Sequence, residues 1–127
     1  MSIAYWCILV GALMPYVNIG IAKTRSPYDN RFPRAHEKYR GLALRAYGAQ
    51  ENSFEAFPFF AIAVLVASGG SAHVIDPLLN SLALAWVVTR LAYTAVYLMD
   101  HPTARSLIWF VGVALSIAIL TIPAWHR

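Results

Sequence analysis

Four long apolar stretches, separated by short polar segments, dominate the pattern along the chain. They cover about residues 3–22, 42–68, 77–99 and 105–122. Because a helix needs roughly 20 apolar residues to cross a bilayer, each stretch is long enough for one crossing. Glycine and proline residues mark the later junctions, at residues 69–70 and 102. The pattern therefore predicts an all-α fold with four membrane-spanning helices.

The composition agrees with this prediction. Hydrophobic residues make up 59% of the chain and charged residues 13%, whereas soluble globular chains have roughly 45–50% and 25%. The chain has 127 residues, which corresponds to one domain. We therefore expect a single integral-membrane domain over residues 1–127.

The positive charge is concentrated in the first polar segment. Six of the ten basic residues lie there, namely Lys23, Arg25, Arg31, Arg34, Lys38 and Arg40. The second polar segment, residues 69–76, contains no lysine or arginine. The positive-inside rule then places the first loop in the cytoplasm and both termini on the other side.

Several classes of site are excluded by the motifs that the sequence lacks. Its single cysteine and four histidines show no metal-ligand spacing, so we expect no metal site. It contains neither a GxGxxG nor a GxxxxGK[ST] motif. The basic loop has no folded nucleic-acid module around it, so we expect no nucleic-acid partner.

Polar residues interrupt the second and third apolar stretches. The second contains Arg45, Gln50, Glu51, Asn52 and Glu55, although an unpaired charge in hydrocarbon costs several kcal/mol. Successive residues of a helix are about 100° apart, so Arg45, Asn52 and Glu55 share one helix face. Gln50 and Glu51 lie off that face.

The third stretch shows the same pattern. Arg90, Tyr93 and Tyr97 share one face of its helix, and Arg105 begins the fourth stretch at the same side of the membrane. The polar faces therefore predict a pocket in the cytoplasmic half of the protein.

Each of these residues also has a purely structural interpretation. We expect Glu55 and Arg90 to form a buried ion pair between helices. Asn52 would then be an interhelical hydrogen-bonding residue. Tyr93 and Tyr97 would anchor the membrane interface, and Arg105 would only orient its helix.

The segment LRAYGAQENSFEAFPFF, residues 44–60, resembles the second-helix signature of the MAPEG family, the membrane-associated proteins of eicosanoid and glutathione metabolism. The matching positions of the segment are Arg45, Gln50, Asn52, Glu55 and Pro58. TRLAYTAVYL in the third helix and ARS at the start of the fourth are similar to that family as well.

This resemblance implies an up-and-down four-helix bundle that assembles as a homotrimer and binds glutathione between subunits. It implies that glutathione is held by Arg45, Gln50, Asn52, Glu55, Arg90, Tyr93 and Tyr97. Arg105 would be the catalytic residue that stabilises the thiolate. The expected activity is a glutathione-dependent transferase or peroxidase that acts on lipophilic electrophiles or hydroperoxides.

Two departures from the family pattern favour an alternative, a non-catalytic protein that binds lipid or protein. Catalytic relatives often have an arginine where this chain has Gly48. The segment from Tyr97 to Arg105 is about one residue shorter than in the eicosanoid enzymes, and its Asp100 could pair with Arg105.

A small four-helix multidrug transporter is the last alternative, but its expected carboxylate in the first helix is missing. By family analogy, we expect a multi-pass protein of a bacterial inner membrane.

Overall fold

The computed structural model describes residues 1–126 and contains four α-helices in this range. They are α1 (Ile3–Thr24), α2 (Leu42–Ala67), α3 (Pro77–Leu98) and α4 (Pro102–Trp125). The all-α prediction is therefore confirmed, and no strand occurs in the described part of the chain.

The main difference from the predicted boundaries is the start of α4, which begins at Pro102 and not near Arg105. Proline is favoured at the first position of a helix, because its missing N–H group would have no partner there. Arg105 consequently lies within the first turns of α4, and its backbone N–H donates to the carbonyl of His101 at 3.0 Å.

Three helices, α1, α3 and α4, are long and apolar enough to cross a membrane. α2 is the longest helix, with 26 residues, but Arg45, Glu51 and Glu55 make its first half more polar. α2 also packs against all three other helices. The protein is therefore an integral-membrane helical bundle, and α2 has more charged residues than any of the other three helices in the described range.

The two ends of the bundle differ. The first-loop end contains the loop between α1 and α2, the end of α3 and the start of α4. At the opposite end, the Asp76 carboxylate caps α3 by accepting from the backbone N–H groups of Leu78 and Leu79 at 2.9 and 3.2 Å. The ring of His126 lies 3.9 Å from the same carboxylate.

The main hydrophobic core lies toward this opposite end. Phe60 of α2 and Trp86 of α3 stack face to face, with ring centroids 3.8 Å apart. Small and aliphatic residues from all four helices surround them: Ala4, Cys7, Ala63, Val64, Leu79, Ala83, Ile119 and Ile122. The core therefore fixes the helices at one end and leaves the polar residues at the other.

Candidate functional site

A groove at the first-loop end, between α2, α3 and α4, contains five of the eight candidate residues. We call it the α2–α4 groove; its volume is about 540 Å³. The candidate residues that line it are Asn52, Glu55, Tyr93, Tyr97 and Arg105. Because α2 and α4 begin at this end and α3 finishes there, three helices bring their polar positions together.

Arg90 and Asn52 join α3 to α2 behind the groove. Arg90 is 3% exposed, and its Nη2 donates to the Asn52 Oδ1 at 2.7 Å. The guanidinium also lies 4.3 Å from the centre of the Tyr93 ring. The amide and the ring thus stabilise a charge that would otherwise be costly to bury.

The predicted ion pair between Glu55 and Arg90 is wrong. Asn52 lies about one helical turn closer to the first-loop end than Glu55, and this turn is the one level with Arg90. The Glu55 side chain is exposed, and it forms no ion pair or hydrogen bond within residues 1–126. Its carboxylate therefore faces the open grooves beside α2.

Tyr93 and Tyr97 continue the arrangement toward the first-loop end. Their rings meet edge to face with centroids 5.7 Å apart. The Arg105 guanidinium lies 4.7 Å from the centre of the Tyr97 ring. Two cations, Arg90 behind the groove and Arg105 within it, therefore lie at the two ends of the tyrosine pair.

Arg45 is beside the groove and not in it. Its Nε donates to the Leu98 carbonyl at 3.1 Å, which satisfies one of the free carbonyls at the end of α3. It lines a separate cavity of about 210 Å³ together with Tyr97, Asp100, His101 and Arg105. Asp100 shares this cavity with Arg105, but the two form no ion pair within the described residues.

Gln50 lies on another side of α2. It lines a groove of about 690 Å³ between α1, the first loop and α2, which we call the α1–α2 groove. Lys23 and Arg34 provide positive charge there, and Tyr16 and Tyr47 provide aromatic surface. Glu55 borders both grooves, so α2 separates two polar surfaces.

α4 contributes a wall that the sequence analysis did not identify. Ser106, Trp109 and Phe110 line the α2–α4 groove. Trp109 also lines an adjoining apolar cavity of about 280 Å³, together with Phe59 and Trp86. The signal was present in the sequence, since Trp109 follows Arg105 by four residues and so lies on the same helix face.

The groove combines two phenols, an amide, an arginine and two exposed carboxylates, those of Glu51 and Glu55. The buried Arg90 lies behind it and lines the adjoining apolar cavity. Such a surface can bind a polar molecule with charges of both signs and place it beside an apolar one. No curated protein and no solved structure matches the chain. The MAPEG family model, in contrast, matches residues 3–125. Since this match covers nearly the whole chain, the protein belongs to the MAPEG family.

Proposed function

We propose that the protein is a glutathione-dependent transferase or peroxidase that acts on lipophilic substrates within the membrane. The observation that carries this proposal is the convergence of Asn52, Glu55, Tyr93, Tyr97 and Arg105 on one groove. Its volume of about 540 Å³ lies within the range of roughly 300–1,000 Å³ that is usual for small-molecule sites.

The groups in the groove complement the polar groups of glutathione. The Glu55 carboxylate suits the ammonium group of the tripeptide. The two phenols can donate hydrogen bonds to its carbonyl or carboxylate oxygens. Arg90 donates a hydrogen bond to the Oδ1 of Asn52, so it holds that amide in place, and the amide NH₂ group of Asn52 can donate to the ligand.

We assign to Arg105 the stabilisation of the glutathione thiolate. A free thiol has a pKa of about 8.5, and a nearby guanidinium favours the anion. Lowering the thiol pKa by two units requires only about 2.7 kcal/mol of differential interaction. In a transfer reaction the thiolate sulfur would form a bond to the electrophilic carbon as that carbon loses its leaving group with the bonding electron pair. Where the substrate is an activated alkene, the π bond would break and its electron pair would take up a proton. In a peroxidase reaction two thiols would be oxidised to a disulfide as the hydroperoxide is reduced to an alcohol and water.

The apolar cavity beside Trp109 supports a lipophilic second substrate. It lies between α2 and α4 and adjoins the groove at Glu55 and Trp109. A substrate dissolved in the bilayer could enter it laterally and reach a thiolate near Arg105. Proximity and thiolate activation would then provide the main rate enhancement.

We further propose that the working unit is a homotrimer with glutathione between subunits. Glu55 is exposed about 20 Å from the start of α2, at 1.5 Å per residue. Lipid contact would be costly for this carboxylate. A neighbouring copy could cover it and bring the α1–α2 groove, with Gln50, Lys23 and Arg34, against the α2–α4 groove. This arrangement would unite candidate residues that lie on separate sides of one protomer.

The test is calorimetric titration of the detergent-purified protein with glutathione, combined with ultraviolet absorbance of the bound thiolate and assays with model electrophiles and hydroperoxides. We expect binding, a thiolate signal and turnover. Arg105→Ala should lose the thiolate signal and turnover, and Asn52→Ala should lose binding. Arg31→Ala, which removes an arginine from the exposed loop, is the matched control and should behave like the wild type.

A second candidate is a non-catalytic protein that binds lipid or protein. Gly48 favours it, because this position offers no side chain to a ligand carboxylate. Absence of glutathione binding at millimolar concentration, together with binding of lipid to the apolar cavity, would support this candidate. Glutathione-dependent turnover would reject it.

A further inference from the structure

Gly48 has an unusual neighbour for a glycine inside a helix. Glycine costs about 1 kcal/mol relative to alanine in a helix interior, so its presence in α2 needs a structural reason. A Cβ atom at this position would collide with the hydroxyl oxygen of Tyr97 and lie 2.8 Å from its Cζ. Real Cβ atoms essentially never approach a neighbour within 3.0 Å. The missing side chain therefore leaves the space that the Tyr97 phenol occupies.

The position of Tyr97 in turn determines what Arg105 can contact. The Tyr97 ring is held on one side by α2 at Gly48 and on another by the edge of Tyr93. The Arg105 guanidinium, from α4, lies over this ring. The position of the Tyr97 ring thus depends on how closely α2 and α3 approach each other. The position of the Arg105 guanidinium, which belongs to α4, depends in turn on that ring.

Tyr97 also separates two environments for that cation. Tyr97 and Arg105 line both the α2–α4 groove and the smaller cavity that contains Arg45 and Asp100. A guanidinium on the groove side can reach a ligand anion. A guanidinium that moved to the other side would approach the Asp100 carboxylate.

We propose that Gly48 and Tyr97 are positioning residues, which hold the Arg105 guanidinium at the α2–α4 groove. Gly48 admits the phenol, and the ring supports the guanidinium. The proposal deepens the proposed function and rests on it for its catalytic consequence, because a displaced Arg105 would stabilise the glutathione thiolate less. The positional part concerns the protein without any ligand.

The first measurement is the NMR signal of the Arg105 Nε–Hε group in the detergent-solubilised protein without glutathione. The aromatic ring current of Tyr97 should move the chemical shift of this proton away from its usual value. Tyr97→Leu and Gly48→Ala should each remove most of this shift. Gly20→Ala is the matched control, because a Cβ there would meet no atom within 4 Å, and it should leave the signal unchanged.

Gly48→Ala should have no further effect in the Tyr97→Leu background, since the clashing ring is then absent. An Arg105 signal that is the same in wild type and Gly48→Ala would overturn the proposal, whether or not glutathione binds. If the changes of the Arg105 signal caused by the two substitutions were additive, Gly48 would not act on Arg105 through Tyr97, and that part of the proposal would be overturned.

The second measurement is the pH titration of the bound thiolate. Gly48→Ala should raise its midpoint by about one pH unit, which lowers the thiolate fraction about fivefold at the wild-type midpoint. Glutathione affinity measured below both midpoints, where the thiol is neutral, reports separately on any hydrogen bond that the displaced Tyr97 phenol donates to glutathione. If Gly48→Ala moved the Arg105 signal but left the midpoint of the thiolate titration unchanged, the proposed effect of Arg105 position on the thiolate would be overturned. If Gly48→Ala moved the Arg105 signal but the wild-type protein bound no glutathione, the proposed function would be rejected. The positioning of Arg105 by Gly48 and Tyr97 would still be established.

Discussion

The contact between α2 and α3 has two halves that are built differently. Toward the end opposite the first loop, Phe60 and Trp86 stack in a buried core of alanine and aliphatic side chains. Toward the first-loop end, Asn52 and Arg90 connect the same two helices by a hydrogen bond from a buried charge. The polar half borders the α2–α4 groove, whereas Trp86 of the apolar half borders the adjoining apolar cavity. The comparison indicates that the apolar half stabilises the bundle by packing, and that the polar half holds charged and polar groups in fixed positions beside the groove.

The difference also concerns what each half can tolerate. A packed apolar contact has no direction, and its strength follows the area removed from water or lipid and the quality of packing. A buried guanidinium needs a particular acceptor at a particular distance, because leaving it unpaired is costly. Substitutions in the two halves should therefore differ in how they depend on the partner residue.

The largest expected effect on stability is that of Phe60→Ala. It leaves a cavity against Trp86, and such truncations cost about 3–5 kcal/mol in well-packed cores. The free energy of unfolding can be measured by titration with a denaturing detergent in mixed micelles. Phe59→Ala is the matched control, since its side chain is 37% exposed and should cost much less. Equal losses for both phenylalanines would contradict the assignment of Phe60 to a packed core that stabilises the apolar half.

The next largest effect concerns the Asn52–Arg90 pair, for which a double-mutant cycle is the suitable measurement. Asn52→Ala should destabilise the protein by about 1.5–3 kcal/mol, because it leaves a buried guanidinium without its acceptor. In an Arg90→Met background the same substitution should cost far less. Unfolding free energies that add within about 0.5 kcal/mol would show that the two residues are not coupled.

The apolar half was largely predictable from the sequence. The lengths of the apolar stretches located all four helices, because crossing a membrane requires a minimum number of apolar residues. The start of α4 was misjudged, because the apolar pattern begins after Arg105 while the helix begins at Pro102. An apolar boundary marks where lipid contact begins, and proline at the first position marks where the helix begins.

In the polar half, the sequence predicted which face of a helix a side chain lies on, but not which residues of two helices lie at the same height. Helical periodicity placed Gln50 off the stripe that contains Asn52, and the structure agrees. It also placed Glu51 off that stripe and Arg45 on it, but Glu51 lines the α2–α4 groove and Arg45 lies beside it. The same reasoning predicted Glu55 as the partner of Arg90, which was wrong. Periodicity gives the angle of a side chain around its helix, but the height at which two helices meet depends on packing along their whole length.

Gly48 illustrates what a single chain cannot reveal before it is folded. From the sequence it is only a missing side chain at a position where relatives often have an arginine. In the structure the Tyr97 phenol occupies its place, and this contact comes from a different helix. No local pattern in α2 indicates which residue of α3 will fill that space.

A smaller effect is expected from Asp76 at the end opposite the groove. Asp76→Ala should cost about 1 kcal/mol, because it removes the side chain that caps α3. Asp76→Asn is the matched control, since asparagine caps a helix about as well as aspartate and should lose only a few tenths of a kcal/mol. If both variants were equally destabilised, the charge near His126 would matter more than the cap. Glutathione binding should be unaffected in either variant, because the groove lies at the other end.

The smallest expected effect is that of Arg31→Ala in the exposed first loop, which belongs to neither half. The hydrogen bonds of Arg31 hold the pKa of Asp29 below its ordinary value. A lowered folded-state pKa contributes stability above the unfolded-state pKa, and this contribution disappears as pH falls through the folded-state value. The side chains are 83% and 48% exposed, so solvent and salt screen the pair. We therefore expect an unchanged Tm at neutral pH, together with a rise in the pKa of Asp29 in an NMR titration of its carboxyl group. Arg34→Ala should leave that pKa in place, and a lower Tm in Arg31→Ala alone would show that the loop contributes to the fold as well as to charge.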